Sequence, residues 1–313
     1  MKGSGDMEYV TDLEQLKAAP RKPGASLALG AFDGLHRGHM AVLHAAATPP
    51  YENNWGVFTF SDRPFGTQML LTAQDREAIL RQAGAAFAVA PAFEEVRDLP
   101  AEAFAEQVLF DACGAKRLCC GEDFRFGKDA AGDVSLLQRL CAEHGAELFL
   151  VPPVTDEVGK ISSTRIRGAV ERGEIPLANR LLGRAFSYTL PVIHGNHLGT
   201  ELGTPTMNQA MPENLVLPPF GVYASFARVD ENWHYGVTNI GVKPTVGSDR
   251  VLSETWLPEF SGDLYGKEIK IALLAFLRPE RKFASLETLK EEIQKNAKEA
   301  KKIALQTELG MLE

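Results

Sequence analysis

The sequence predicts an α/β protein in which a helix-covered parallel sheet is followed by an antiparallel β-barrel domain with a terminal α-helix. The chain has 313 residues, a length at which two domains are the ordinary expectation. Apolar runs and helical patterns alternate up to Gly183, which is typical of a parallel sheet. Runs rich in β-branched and aromatic residues then follow without helices between them. We therefore expect one domain over residues 1–184 and a second over residues 185–313.

The first half contains five short apolar runs separated mostly by helical patterns. The run SLALGAF precedes the helical pattern GHMAVLHAAA. A second helical pattern, TAQDREAILRQAG, has Thr72 at its N-cap position and Gly84 at its end. The other runs predicted as strands are WGVFTF, AFAVAPAF, KRLCCG and AELFLVP. Parallel sheets bind ligands beyond the carboxyl ends of their strands, so the turn after SLALGAF is a candidate site.

The second half changes to strand patterns punctuated by Gly, Pro and Asn. Its final stretch, SLETLKEEIQKNAKEAKKIALQTEL, predicts a helix with Ser285 as the N-cap. The runs predicted as strands are FSYTLPVIHG, GVYASFARVD, WHYGVTNIGV, VLSETWL and EIKIALLAFLR.

Composition excludes several classes of protein. The net charge of −8 argues against binding of nucleic acid through a basic surface. The four cysteines lack paired C-x-x-C spacing, which favours reduced, buried thiols. The N-terminal stretch MKGSGDMEYV has no signal-peptide core, and no apolar run reaches membrane-spanning length. We therefore expect a cytoplasmic protein that acts on small molecules, without nucleic acid or membrane, as a monomer or weak homo-oligomer.

The most informative stretch is LGAFDGLHRGHMAVL, residues 29–43, which places His36 and His39 around Gly38 at a predicted strand-to-helix turn. Glycines let the backbone approach a phosphate, and the free N–H groups of the helix that follows favour an anion. Histidines three residues apart share one side of a helical turn, where imidazole can donate hydrogen bonds to a reacting phosphate. Taken alone, such a pair also fits a metal-binding or structural role.

Several motifs resemble a known family. H-x-G-H at the first strand-to-helix turn of an α/β domain resembles the nucleotidylyltransferase superfamily, and GAFDGLHRGH resembles its bacterial FMN adenylyltransferase branch. GEDFRFGKDAAGD (121–133) resembles the flavin-adjacent loop of that branch, and ISSTRIR (161–167) resembles its triphosphate motif. LGTPTMN (202–208) resembles the G-x-P-T-x-N motif of riboflavin kinases, and GVYA, NIGVKPT, SETWL and DLYGKEIKI follow in the kinase order. The resemblance implies a bifunctional riboflavin kinase/FAD synthetase whose first domain is a Rossmann-like nucleotidylyltransferase domain.

For the first domain the resemblance implies that the FMN phosphate attacks the α-phosphorus of ATP and expels pyrophosphate. His36 and His39 are then predicted as catalytic residues at the α-phosphate, and Arg167 is expected on the β- and γ-phosphates. The other residues predicted to bind ATP or its phosphates here are Gly30, Phe32, Gly38, Ser163 and Thr164.

The resemblance also places Asp123, Phe124 and Phe126 near the flavin, with Asp123 as a ligand of Mg²⁺. The alternation of the two phenylalanines with charged residues fits core-facing strand positions as well. FSDRPF (60–65) stands where the family usually carries an acidic-Pro-His-Pro sequence. We predict Arg63 in this loop as a substitute cation for the FMN phosphate.

Two aspartates of the first half have a simpler interpretation. Asp33 and Asp133 each precede a predicted helix. Asp is a favoured N-cap residue, so both are expected to cap helices rather than bind ligand.

For the second domain the resemblance implies phosphorylation of riboflavin by ATP. Glu254 matches the family glutamate that acts as general base, although its alternation with Leu252 and Trp256 also fits an ordinary strand residue. Thr206 and Asn208 are predicted as neutral oxygen ligands of Mg²⁺. The residues predicted in a glycine-rich flap over the nucleotide are Gly195, Gly199 and Gly203.

The main hypothesis is therefore an enzyme that makes FMN from riboflavin and FAD from FMN, with ATP as co-substrate. A riboflavin kinase with a degenerate, flavin-binding first domain is the alternative that the altered FSDRPF loop leaves open. A flavin-responsive regulator and another H-x-G-H transferase are further alternatives; neither explains the full set of motifs.

Overall fold

The computed structural model describes residues 7–61, 68–194, 204–245 and 248–312. The chain folds as two compact units. The first comprises Met1–Thr67 and Ala73–Ile161, and the second comprises Gln68–Thr72 and Ser162–Glu313. This division falls earlier than the domain boundary predicted after residue 184, which remains a prediction.

The first unit is built on a six-stranded parallel sheet, as the alternating pattern predicts. The strand order is β1-β4-β3-β2-β5-β6. The chain adds strands on one side of β2 and then crosses to the other side, so the topological switch point lies between β2 and β5. The strands are β1 (Glu8–Val10), β2 (Ala25–Leu29), β3 (Trp55–Phe58), β4 (Phe87–Val89), β5 (Ala115–Gly121) and β6 (Glu147–Val151).

Helices cover the sheet. The helices are α1 (Leu13–Ala18), α2 (Arg37–Ala46), α3 (Ala73–Gln82), α4 (Phe93–Val96), α5 (Ala101–Ala103) and α6 (Val134–Glu143). A π-helical stretch (Phe104–Ala112) continues α5, and a hairpin of β7 (Thr155–Asp156) and β8 (Gly159–Lys160) follows β6. An apolar core joins alternate strand residues to α1, α4, α5, α6 and the π-helical stretch. Leu27, Phe87 and Leu118 are fully buried members of it, which is the burial expected of parallel strands covered on both faces.

The second unit begins with two helices and continues as an antiparallel sheet. The helices are α7 (Ser163–Glu171) and α8 (Ile175–Leu182), and a long helix, α9 (Leu286–Gln306), ends it. The strands are β9 (Phe186–Pro191), β10 (Thr206–Ala210), β11 (Gly221–Val229), β12 (Asn232–Thr245), β13 (Ser248–Trp256) and β14 (Glu268–Pro279). Their order is β10-β13-β12-β11-β14-β9.

The antiparallel sheet curls until its two edge strands meet. The N–H of Ile193, just after β9, donates to the carbonyl of Asn208 in β10 at 2.8 Å. The buried amide of Gln209 donates to the carbonyls of Leu190 and Ile269 at 2.6 and 2.8 Å. The predicted barrel is thereby confirmed, and the closure leaves two faces of different chemistry.

Along each strand of the barrel, successive side chains point alternately to its inner and its outer face. The inner face carries buried hydroxyls, including a chain from Ser225 through Thr238 to Thr255 with oxygen separations of 2.7 and 2.8 Å. The outer face packs Val222, Phe226 and other apolar residues against the alanines of α9. Because cross-strand partners share a face, residues in register on the outer face lie side by side.

Candidate active sites

The first candidate site is the turn between β2 and α2, at the switch point of the parallel sheet. Phe32 and Leu35 both have positive φ, at 45° and 40°, and both side chains are fully buried. Side chains larger than glycine rarely adopt such backbone, and it persists only where the surroundings hold it. The turn is therefore a strained segment whose shape is fixed by packing of its own apolar residues.

His36 is the N-cap of α2. Its Nδ1 accepts hydrogen bonds from the backbone N–H groups of Gly38 and His39 at 3.1 and 3.3 Å. A nitrogen that accepts cannot carry a proton, so the neutral ring is protonated on Nε2. Asp33, which the sequence predicts as a cap of this helix, is buried at 4% exposure and is not the N-cap, so that prediction is wrong.

The two histidine rings stack face to face. Their centroids are 3.6 Å apart at an interplanar angle of 17°, and the ring of Phe32 meets His39 edge-on at 5.3 Å. A Cβ on Gly38 would come 3.1 Å from Cε1 of His36. The site thus needs glycine at this position to let the His36 ring lie over the start of α2.

Asp123 lies after β5, on the other side of the switch point, and pairs with Lys160 of β8. The hydrogen bond from Lys160 is the main reason that the pKa of Asp123 lies below its usual value. Both side chains are about half exposed or more. Lys160 is a residue that sequence reasoning missed, because only the folded chain brings the hairpin to Asp123.

The two predicted flavin phenylalanines stack at 5.7 Å but differ in burial. Phe126 is 6% exposed and belongs to the core, where it packs near Phe104, whereas Phe124 is only partly buried. Phe126 thus packs in the core, as the alternative of core-facing strand positions implies. A flavin contact for either ring remains a prediction.

The ISSTRIR residues form the start of α7 in the second unit. Ser162 is the N-cap, and its hydroxyl accepts from the N–H of Arg165 at 3.3 Å. Ser163 and Arg167 are half-buried, while Thr164 is exposed. Their role as phosphate ligands remains a prediction.

The second candidate site is a row of polar residues across three strands of the barrel. Glu254 of β13 is directly opposite Asn208 of β10 on one side and Asn239 of β12 on the other. In the same register Thr206 is opposite Trp256. The strand pairing therefore brings the three predicted kinase residues together on the outer face.

Two cavities of the second unit meet near the start of β10. One, of about 360 Å³, is lined by Glu254, Asn239 and residues of α9. The other, of about 470 Å³, is lined by Met207, Thr255 and the segment Leu257–Tyr265. Thr206 lines both cavities, so a ligand in one cavity can approach a ligand in the other at this residue.

The first of these cavities also contains a charged cluster that sequence reasoning missed. Nε of Arg278 donates to Oδ1 of Asn296 at 3.0 Å, and Arg281 pairs with Glu292 at 2.5 Å. Burial lowers the pKa of Arg278, and the charge of Glu292 opposes that shift. The stretch LRPERKF could have signalled the cluster, since it places two arginines beside Phe283 directly before the α9 helix.

The residues present fit a magnesium ion shared with phosphate. Nδ2 of Asn208 donates to the carbonyl of Thr206 at 3.4 Å, which leaves its amide oxygen available as a ligand. With the Thr206 hydroxyl and the Glu254 carboxylate in neighbouring register positions, the donors are all oxygens, as Mg²⁺ prefers. Among the described residues no group of three or more His, Cys, Asp or Glu could hold a metal on its own.

Four predicted site residues lie outside the described residues. They are Arg63, Gly195, Gly199 and Gly203.

Comparison with known proteins matches both halves of the chain. The sequence model of the FAD synthetase family matches residues 18–165, and that of the riboflavin kinase family matches residues 182–304. The bifunctional riboflavin kinase/FMN adenylyltransferase of Pseudomonas fluorescens is 35% identical over 95% of this chain and 98% of its own. The protein of the same description from Escherichia coli K12 is 32% identical over 92% and 95%, respectively.

A solved structure also superposes on nearly the whole chain. A Streptococcus pneumoniae protein described as a macrolide-efflux protein has a TM-score of 0.83 at 26% identity, covering 94% of this chain and 99% of its own. Among the described residues, none of the helices has the length and apolar character that crossing a membrane requires.

Proposed function

The chain belongs to the bifunctional riboflavin kinase/FMN adenylyltransferase family, and on that premise we propose how its two sites carry out the two reactions. The riboflavin kinase model matches residues 182–304, and the FAD synthetase model matches residues 18–165. The presence of both matches supports two activities over a kinase with a degenerate first domain. The observation that carries the site assignment is the register of Asn208, Glu254 and Asn239, together with the stacked histidines of the β2–α2 turn.

In the kinase reaction Glu254 acts as the general base. Its carboxylate accepts the proton of the riboflavin 5′-hydroxyl, the oxygen attacks the γ-phosphorus of ATP, and ADP leaves. Riboflavin occupies the cavity shared by Glu254 and α9, and the nucleotide occupies the cavity beside Leu257–Tyr265. Thr206, which lines both, lies where the γ-phosphate must meet the hydroxyl.

Magnesium supports the kinase reaction. Thr206 and Asn208 would hold it through their oxygens, and when bound it neutralises charge on the phosphates. The side-chain bond from Asn208 to the Thr206 carbonyl keeps the amide oriented for this role.

In the adenylyltransfer reaction a phosphate oxygen of FMN attacks the α-phosphorus of ATP and pyrophosphate leaves. His36 presents Nε2–H to the α-phosphate because Nδ1 is fixed on the backbone of α2. The stacked His39 is the second donor, and the N-terminal end of α2 adds a favourable dipole. No covalent enzyme intermediate is required, since positioning and charge stabilisation lower the barrier.

Other residues keep the roles that the family resemblance implies. For Arg167, Ser163 and Thr164 this role is binding of the β- and γ-phosphates of ATP, and for Asp123 and Phe124 it is binding of FMN; these roles stay predictions. The substrates are riboflavin, FMN and ATP, and we expect a cytoplasmic enzyme, monomeric or weakly associated, that does not use nucleic acid.

A time course of flavin products tests the proposal. Purified protein with riboflavin, ATP and Mg²⁺ is expected to give FMN first and FAD after it, as resolved by chromatography. Accumulation of FMN without FAD would establish the kinase-only alternative, and formation of neither product would contradict both assignments.

A further inference from the structure

Arg76 is a buried cation that neither reaction described above uses. It lies in the first turns of α3 at 2% exposure and is the largest of the fully buried side chains. Its Nη2 donates to the carbonyl oxygen of Ser61 at 3.3 Å and to the hydroxyl of Tyr9 at 3.4 Å. Its Nε is enclosed and has no hydrogen-bond partner within the part of the chain that the structure describes.

Within the described residues of the first unit, no ion pair neutralises the charge of Arg76. Its two acceptors, the Tyr9 hydroxyl and the Ser61 carbonyl, are both uncharged. A guanidinium stays protonated in proteins, so the residue cannot relieve its burial by losing the proton. An unneutralised buried charge is costly for folding, and such a group is therefore a candidate for a function that requires the charge.

Two other arginines with enclosed side chains differ from Arg76 in that each forms an ion pair with a carboxylate. Arg278 lies beside Glu292 at 3.4 Å although it is also largely enclosed, and Arg117 pairs with Glu147 at 2.9 Å. Arg76 is more deeply buried than either.

The position of Arg76 relates this charge to the adenylyltransfer site within the same unit. Ser61 follows the carboxyl end of β3, and its N–H donates to the carbonyl of Pro91, which follows the carboxyl end of β4. Two residues before Ser61, the hydroxyl of Thr59 donates at 3.0 Å to the carbonyl of Ala31 in the turn that carries the histidines. Arg76 thus contacts the ligand-binding edge of the parallel sheet.

We propose that Arg76 is a positioning residue whose positive charge selects a flavin that carries a phosphate over one that does not. The proposal rests on the proposed adenylyltransferase function, because FMN is a phosphomonoester and riboflavin is uncharged. Arg76 acts through the field of its charge at the sheet edge, and its hydrogen bond to the Ser61 carbonyl fixes where the guanidinium lies; it does not react.

The test compares Arg76→Gln, Arg76→Lys and the matched control Arg81→Gln. Arg81 lies on the exposed side of the same helix and pairs with Glu77 at 2.6 Å. In the full-length enzyme, Arg76→Gln is expected to raise the KM for FMN in FAD synthesis by about 10- to 100-fold, the range for losing a charged interaction. Its KM for ATP should stay within about twofold of wild type. The inhibition constant for riboflavin as competitor of FMN, measured in the Glu254→Gln background so that riboflavin is not phosphorylated, should also stay within about twofold.

The conservative variant separates charge from packing. Arg76→Lys loses the guanidinium hydrogen bonds but keeps the charge while the amine is protonated, so the comparison is made at a pH low enough to protonate it. Under that condition we expect an FMN KM close to that of wild type. An equal rise in the FMN KM for Lys and Gln, a parallel weakening of riboflavin inhibition, or an unchanged KM in Arg76→Gln would each overturn the proposal.

The KM for ATP in FAD synthesis and denaturant unfolding report whether the first unit of each variant has folded, and riboflavin kinase activity reports on the second unit. If Arg76→Gln does not fold, the Lys variant alone decides, because a purely structural role predicts that it also loses FMN affinity. FAD synthesis by wild type, measured first, separates failure of this inference from failure of the proposed function.

Discussion

The two halves of this chain build their candidate active sites in opposite ways. In the first unit the site is a short strained turn in which a histidine caps a helix, and backbone geometry sets the direction of the ring. In the second unit the site is a row of side chains from three separate strands, aligned by the register of an antiparallel sheet. A local turn is sensitive to changes in its backbone, whereas the row is sensitive to changes in its side chains.

The largest effect is expected from a substitution that keeps the helix-capping function of His36 but removes its proposed hydrogen-bond donor, Nε2–H. Serine is a good N-cap residue but cannot reach a phosphate from this position, so His36→Ser should keep the fold. Loss of Nε2–H is expected to lower FAD formation by about 10²- to 10³-fold, the range for a removed transition-state donor. The rate of FAD formation from supplied FMN measures this.

The comparison variant His36→Ala loses both functions of the side chain. It should lose stability by about 1 kcal/mol as well, because the N–H groups of Gly38 and His39 lose their acceptor. Equal stability of the Ala and Ser variants in denaturant unfolding would contradict the cap assignment. Riboflavin phosphorylation should continue in both.

Substitution of Glu254, the proposed general base, is expected to affect only the kinase reaction of the second unit. Glu254→Gln keeps the shape of the side chain and is expected to lower riboflavin phosphorylation by about 10²- to 10⁴-fold. FMN supplied directly should still be converted to FAD at the rate of wild type. A matched Glu280→Gln change in the same cavity should have a smaller effect on the kinase rate, and equal losses in both variants would argue against Glu254 as the base.

A smaller effect is expected from crowding the turn. In Gly38→Ala the new Cβ would lie 3.1 Å from the His36 ring, so the ring must shift and the donor is misplaced. We expect FAD formation to fall by about 10-fold, since small errors of position weaken catalysis strongly. Gly145→Ala, where a Cβ meets nothing within 4 Å but φ is +59°, controls for the loss of a glycine: it should lower stability and leave the rate unchanged.

The smallest effect concerns the pair of Asp123 and Lys160. The pKa of Asp123 is lowered in the folded protein, so the pair stabilises the fold above the unfolded pKa of Asp and ceases to do so as pH falls through the folded pKa. Lys160→Gln should return the pKa of Asp123 towards its ordinary value, as followed by NMR titration. Because both groups are well exposed to solvent, the change in stability should be below about 0.5 kcal/mol. An unchanged pKa in the variant would show that another group causes the shift.

Local features of the fold could be predicted from the sequence because their causes are local. Asp133 and Ser285 cap their helices as predicted, each through a hydrogen bond to a backbone N–H three residues ahead. The alternation of strands and helices likewise gave the parallel sheet of the first unit. The cap of α2 could not be assigned in this way. His36 rather than Asp33 is the N-cap because tertiary packing imposes the buried turn with positive φ that precedes the helix.

The remaining features depend on contacts between distant parts of the chain. The alternation of residues along β13 is compatible with Glu254 being either an ordinary strand residue or a general base. Only the pairing of β13 with β10 and β12 shows that it lies between two asparagines. The pairing of Asp123 with Lys160 joins residues 37 positions apart. The burial of Arg76 is likewise invisible in a helical pattern, where arginine normally marks the solvent side.

The independence of the two sites can be tested by mixing two inactive chains. Neither Glu254→Gln nor His36→Ser should convert riboflavin to FAD alone, because the first makes little FMN and the second adenylylates little of it. An equimolar mixture supplied with riboflavin, ATP and Mg²⁺ should form FAD, since FMN released by one chain is the substrate of the other. A mixture that forms no more FAD than the sum of the separate chains would contradict two self-sufficient sites.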